Sequence, residues 1–323
     1  MNTNQTLNVM KKASKVASGR SLMPIFNHVA ITLKDGKCSL TASDGTRSYS
    51  ETFEAYGDDG ECTLESVKLN RSLAGLKSGE IEITEKGVKQ GKTNIKLESM
   101  NYDMYPLPEI EKTQETPIDS NELFSIFSMI SHAMPTKDVR LMLNGIHLTN
   151  GYAVATDGHR MAFVECGYNG SDIIIPADTV RSMPDVHGQV HTSEAKLVIE
   201  NENSVFSTAL IDAKFPDWKR IIPKEHSIEI KADKLDLVNA IKTVQIGGDI
   251  IKLSISKDLM NIKNDGAETE IQIESTGDLE IGFMSQYILD ALNQCLDGEI
   301  VIKLGENKAC SINDNYIVMP VRI

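Results

Sequence analysis

The sequence predicts an α+β protein built from one module used three times, and three observations predict it. Ser43-Asp44-Gly45, Thr156-Asp157-Gly158 and Asn264-Asp265-Gly266 carry one signature at separations of 113 and 108 residues. Tyr105-Pro106, Phe215-Pro216 and Met319-Pro320 repeat at 110 and 104 residues. Short helix-like segments begin near Leu69, Pro176 and Met284, each after a run that reads as strand. A single Asp-Gly marks only a hairpin turn, because Gly accepts positive φ without steric cost. Three landmarks in one order and at one period mark an internal repeat. The modules fall at 1–115, 116–225 and 226–323, each long enough to bury a core of its own.

Each module reads helix, strands, second helix, strands. In the first, Leu7, Met10, Ala13 and Ala17 form an apolar stripe at helical spacing with Val9 and Val16 beside it, and Gly19 closes the segment. Lys11, Lys12 and Lys15 fall on or near the opposite face. In the second, Asp119 and Glu122 make a capping-box-like start, Leu123, Phe124, Phe127 and Ile130 supply the stripe, and Pro135 stops it. In the third, Leu235, Val238, Ile241 and Val244 repeat the pattern, with Lys231, Lys234 and Lys242 nearby. Second helices are expected over 70–77, 176–183 and 285–296, closed by Gly79, Pro184 and Gly298. Alternation at 28–33, 81–84, 229–231 and 270–274 predicts strands with one packed and one wet face.

Composition narrows the function classes. The chain has 323 residues, 41% of them hydrophobic, and no apolar run long enough to span a bilayer; its polar start does not read as a signal peptide, so an intracellular, cytoplasmic protein is expected. Cys38, Cys62, Cys166, Cys295 and Cys310 are scattered and never form Cys-x-x-Cys, which suits reduced thiols. The net charge of −13 opposes a polyanionic partner at first sight. The charge is segregated, however: no Asp or Glu precedes Asp35, whereas Lys11, Lys12, Lys15, Arg20 and Lys34 all do. Such a surface attracts a polyanion on one side and repels it elsewhere.

The densest chemical cluster is Thr156-Asp157-Gly158-His159-Arg160-Met161. Acid–base or metal chemistry needs more than a carboxylate and an imidazole in one turn. No second His stands at metal-ligand spacing, and no nucleophile elbow or phosphate-cradling glycine loop occurs. The expectation is no catalytic residue, no metal and no cofactor. A small hydrolase or deaminase using Asp157 and His159 is the competing reading.

That cluster, together with 215–223 (Phe215-Pro216-Asp217-Trp218-Lys219-Arg220-Ile221-Ile222-Pro223), Glu280-Ile281-Gly282-Phe283 and 316–323, resembles the bacterial DNA polymerase III beta subunit family, the sliding clamps. Gly19-Arg20 and Leu22-Met23-Pro24-Ile25 also match the family's first-domain pattern. The resemblance spans essentially the whole chain and is strongest from Arg140 onward. It implies a DNA-clamp fold of three similar domains, each with two helices and antiparallel sheets, and a head-to-tail homodimer closing a six-domain ring on double-stranded DNA. Head-to-tail contacts close only when the rotation per module completes a circle.

A sliding ring holds phosphates and cannot read bases. Arg20 matches a DNA-contacting position of the family, and Lys11, Lys12, Lys15, Arg71 and Lys77 extend the set from their places on the expected helices. The resemblance also implies an apolar groove for short linear peptides of the DNA polymerase and the clamp loader. Its lining would include Leu143, Thr156, Gly158, His159, Arg160 and Met161. Pro216, Arg220, Ile221 and Tyr287 would join them, as would Ile317, Val318, Met319, Pro320, Val321 and Arg322. Adaptable aliphatic and Met side chains with arginines at the rim suit that role.

The implied function is a processivity factor without catalytic activity of its own. The alternative within the same fold is an adaptor that binds partner peptides without encircling DNA. Leu141 and Met142 stand where the family often has aromatics, and Gly247-Gly248 replaces an aromatic that often borders the groove.

Overall fold

The computed structural model describes residues 1–19, 21–108, 114–306 and 308–323. Arg20 therefore lies outside the described residues. The six α-helices among the described residues are α1 (Thr3–Ala13), α2 (Ser66–Gly75), α3 (Ser120–Ile130), α4 (Ala177–Ser182), α5 (Lys234–Gln245) and α6 (Ser285–Gln294). Each expected module contributes two. The first helix of each pair starts from an Asx side chain: Asn2 accepts from the amides of Asn4 and Gln5, Asp119 from Glu122, and Asp233 from Leu235 and Asp236. The second helices begin straight from a strand, with no side-chain cap at Glu65, Pro176 or Met284.

The chain folds into two compact units, 1–124 with 167–212, and 125–166 with 213–323. In the first, one antiparallel sheet runs in the order Gly60–Glu65, His28–Lys34, Lys37–Ser43, Arg47–Glu54, Ser204–Ala209, Lys196–Glu200, Gln189–Thr192 and Gln114–Asp119. A smaller sheet holds Glu82–Thr84, Gly87–Gln90 and Thr93–Lys96. α1 packs on α2, burying Val9, Met10, Leu69 and Leu73 to 1% exposure or less. Each such side chain contributes roughly 1.5–3 kcal/mol by leaving water.

In the second unit, a sheet runs Gly145–Thr149, Tyr152–Thr156, Arg160–Glu165, Tyr316–Val318, Cys310–Ile312, Glu299–Leu304, Ile228–Asp233 and Glu274–Ser275. Its companion runs Glu268–Gln272, Leu259–Lys263, Ile250–Ile255 and Leu279–Met284. α5 packs on α6 through Leu237, Ile241, Ile288 and Leu292. No helix among the described residues is long and apolar enough to cross a membrane.

Both large sheets cross a module junction in the same way. Arg47–Glu54 of the first module pairs antiparallel with Ser204–Ala209 of the second, and Arg160–Glu165 of the second pairs antiparallel with Tyr316–Val318 of the third.

Several boundaries differ from the sequence reading. α1 ends at Ala13, not Gly19, because Ser14 caps it; Val16 and Ala17 are buried from the following turn. α2 starts at Ser66, before the expected 70, and α6 stops at Gln294, leaving Leu296 exposed. Leu235 is 56% exposed in the first turn of α5, and Leu237 takes the core position instead. The strand expected at 270–274 breaks at Ile273, whose side chain is buried; Glu274–Ser275 then joins the other sheet.

Two landmarks of the repeat also shift. In the first two turns Asp44 and Asp157 each accept from amides two and three residues on, and in the third Asn264 does so, from Gly266 and Ala267. The third Asp-Gly is thus one residue late, and Ala267 is the counterpart of Arg47 and Arg160. The amide of Met319 bonds the carbonyl of His159 as that of Ala209 bonds Thr46. Pro320 therefore corresponds to Leu210, and Phe215-Pro216 lies further along the chain.

Candidate functional site

The turn joining Tyr152–Thr156 to Arg160–Glu165 is cross-linked by its own side chains. The Thr156 hydroxyl accepts from Gly158 N at 3.0 Å and donates to Arg160 O at 2.6 Å. Asp157 Oδ1 accepts from the amides of His159 and Arg160 at 2.8 and 2.9 Å, and its Oδ2 accepts from Arg160 Nε at 3.0 Å. Gly158 has φ +89°, so the turn needs glycine for its backbone, and a Cβ there would lie 2.9 Å from Arg140 Nη2 and push that guanidinium aside. Arg140 donates to Asp157 O and pairs with Asp138, holding that carboxyl down at about 2.

Arg160 reaches beyond the turn. Its Nη1 pairs with Asp290 on α6, and its guanidinium sits 4.4 Å from the Tyr287 ring centre. The imidazole of His132, which packs 5.7 Å from the Tyr316 ring, is lowered to about 4 by burial and then by the Arg160 charge. His132 is therefore neutral at pH 7.

Beside the turn runs the segment 316–323. Its strand pairs with Arg160–Met161-Ala162, after which Met319 N bonds His159 O at 2.8 Å and Val321 N bonds Gly282 O at 2.9 Å. A Cβ on Gly282 would meet Ile323 Cγ2 at 2.2 Å, so glycine permits this close approach. An open cleft of about 830 Å³ is lined on one side by residues 320–323 and on the other by Ser254, Asp278, Glu280 and Gly282. The 3₁₀ segment Trp218–Arg220 docks on the same hairpin, with the Trp218 ring 5.1 Å from Phe163 and 5.4 Å from Tyr152.

The expected groove residues thus divide. Leu143, Thr156, Met161, Ile317 and Val318 are 3% exposed or less and lie in the core beneath the turn. Gly158, His159, Pro216, Arg220, Ile221, Met319 and Arg322 are exposed, while Arg160, Tyr287, Pro320 and Val321 are half-buried. Arg160, Tyr287, His159 and Met319 come together at the turn; Arg220 pairs locally with Asp217 at 2.7 Å. The sequence reading missed Asp290 and Arg140 as supports of this turn and Gly282 as the support of residues 321–323. Gly282 stood in a quoted motif; Asp290 and Arg140 carried no signal short of the fold itself.

Of the expected DNA contacts, Lys12 pairs with Glu51 at 2.9 Å and Lys15 donates to Met183 O at 3.0 Å. Lys11, Arg71 and Lys77 are exposed and make no ion pair among the described residues. No group of three or more His, Cys, Asp or Glu suited to a metal occurs among the described residues.

Comparison with known proteins agrees with this architecture throughout. Models of the DNA polymerase III beta subunit match in chain order: the N-terminal domain over 1–109, the central domain over 117–217 and the C-terminal domain over 219–318. The beta sliding clamp of Pseudomonas aeruginosa is 26% identical, covering 98% of this chain and 97% of that one, and that of Chlamydia muridarum is 24% identical, covering 99% and 97%. The crystal structure of the P. aeruginosa DNA polymerase III subunit beta superposes with a TM-score of 0.90 at 25% identity, covering 100% of this chain and 99% of that one. The Bartonella birtlesii sliding clamp, solved bound to griselimycin, gives 0.93 at 25% identity with the same coverage. With three domain models in order and full-length structural likeness behind it, the chain belongs to the DNA polymerase III beta subunit family, the beta sliding clamps.

Proposed function

We propose that two copies of this chain close a ring around double-stranded DNA and act as the processivity factor of a DNA polymerase. The observation that carries the reading is the unlike pair of sheet edges. Twice in the chain the strand after the repeated turn of one module (Arg47–Glu54, Arg160–Glu165) pairs with the last strand of the next (Ser204–Ala209, Tyr316–Val318). One edge of each kind is left over at the end of its sheet: Glu268–Gln272 in the third module and Thr93–Lys96 in the first. The first exposes Glu268 and Glu270, and the second exposes Lys96 with Lys92 beside it. An exposed edge strand is a template for pairing, and opposite charge fixes the partner. Repeating the junction between copies makes the contact head to tail.

On this reading the domains are 1–115, 116–225 and 226–323. The ring holds DNA through phosphate contacts of Lys11, Lys77 and the Arg20 segment, without reading sequence. The surface around His159, Arg160, Tyr287 and Met319, on the turn beside residues 320–323, takes short linear peptides of the polymerase and the clamp loader; the griselimycin complex of the Bartonella relative supports a ligand site on this fold. The protein performs no chemistry of its own: Asp157 is consumed by the turn, accepting from the His159 and Arg160 amides. It works in the cytoplasm.

The test is primer extension by a replicative polymerase with its clamp loader, together with the native mass. A dimer that lengthens products is expected. A monomer that leaves product length unchanged would sink the reading.

A further inference from the structure

The two module junctions inside the chain share a device beyond strand pairing. At the first, the turn residue Arg47 is braced by Asp44 at 2.8 Å and donates to Ser182 Oγ and Asp178 O of α4. At the second, Arg160 is braced by Asp157 and pairs with Asp290 of α6. Ser182 and Asp290 hold the same place: each is the sixth residue of the second helix of the following module. A turn arginine thus clips each module to the next, with the guanidinium largely buried.

The third turn breaks the rule. Its counterpart of Arg47 and Arg160 is Ala267, and the brace is the neutral Asn264. The turn is instead acidic, with Asp265 and Glu268 exposed. The helix that this turn would meet on a second copy is α2, and its sixth residue is Arg71. Arg71 is exposed and has no ion-pair partner among the described residues. Compared with the Arg160–Asp290 junction, the cation has moved from the turn to the helix and the anion from the helix to the turn.

We propose that Arg71 pairs with Asp265 and Glu268 of the partner subunit, a charge-reversed clip that holds the ring's subunit junction. This rests on the ring reading above and takes Arg71 out of the DNA-contacting set. With no brace from Asn264, the pair is more solvated than the Arg47 and Arg160 clips. Salt screens solvated pairs more than buried ones. The intersubunit clip is therefore more salt-sensitive than the two internal ones.

The dimer dissociation constant by sedimentation at low and high salt tests this. Arg71→Asp is expected to weaken the dimer tenfold or more at low salt, and Ala267→Arg alone also weakens it, since it sets arginine against arginine. Combining them rebuilds an Arg–Asp clip of the Arg160–Asp290 kind, so R71D/A267R is expected to dimerise at least as tightly as the wild type. Wild-type affinity in R71D, or no recovery in the double variant, would overturn the clip. R71D that dimerises normally but loses DNA would return Arg71 to the lumen. Monomeric wild-type protein would overturn the ring reading itself.

Discussion

The guanidinium of Arg160 lies 4.4 Å from the centre of the Tyr287 ring while Asp157 and Asp290 hold it from two other sides. The aromatic face and two carboxylates fix a side chain that would otherwise sample many rotamers, so the wall of the proposed groove is preorganised. Asp290→Asn removes one charge without changing shape. Peptide affinity is expected to fall about three- to tenfold, or about 0.7–1.4 kcal/mol, with the dimer intact. Fluorescence anisotropy with a clamp-binding peptide measures it, and an unchanged dissociation constant would remove Arg160 from the wall.

Gly282 tests the other wall. Adding a methyl group places Cβ 2.2 Å from Ile323 Cγ2 and 3.1 Å from Val321 O. The isoleucine tip can swing away, so Gly282→Ala is expected to cost about 1 kcal/mol or less of stability, yet displace residues 320–323 and weaken peptide binding severalfold. Deleting residues 319–323 is expected to abolish polymerase stimulation with dimerisation intact. Stimulation that survives the deletion would place the groove elsewhere.

The lysines of α1 are expected to separate by role. Lys11 is exposed, so Lys11→Glu should weaken DNA holding and flatten its salt dependence without lowering the melting temperature. Lys12 is paired with Glu51 and half-buried, so Lys12→Ala should lower stability by up to about 1 kcal/mol. Equal effects of the two variants on DNA would contradict this division.

His132 sets a pH dependence. Its folded value is lowered to about 4 by burial and the Arg160 charge, against an ordinary value of 6.5. Between these values the unfolded chain binds the extra proton, so stability is full above about pH 6.5 and falls as the pH drops toward 4. The loss is on the order of 2–3 kcal/mol. Urea midpoints should decline across that window, and His132→Phe should flatten the decline. The same slope in the variant would assign the effect to other groups.

The repeat was legible because turn chemistry and helix starts are local. Gly45 and Gly158 adopt positive φ at the two turns where Asp-Gly predicted it. The third turn misled by one residue, since Asn264 makes the same backbone bonds as an aspartate and puts Asp265 outside the brace. Met319-Pro320 misled for a different reason: a proline after a strand looks alike wherever the strand ends, and only the Met319–His159 bond shows its counterpart to be Ala209. In the site, Thr156 to Met161 and 316–323 were readable from motifs, whereas Asp290 and Arg140 were not. Their partners are 130 and 17 residues away, and no local pattern encodes such pairs. Lys12 and Lys15 read as a free basic face because helical spacing gives direction but not what lies opposite.

The measurement that bears most directly on encirclement is retention on nicked circular DNA, after loading, as salt is raised, compared with the same DNA cut once. A closed ring stays on the circle at salt that abolishes ordinary phosphate contacts and slides off the cut molecule. Equal loss from both forms would show that the protein binds DNA from one side and never surrounds it.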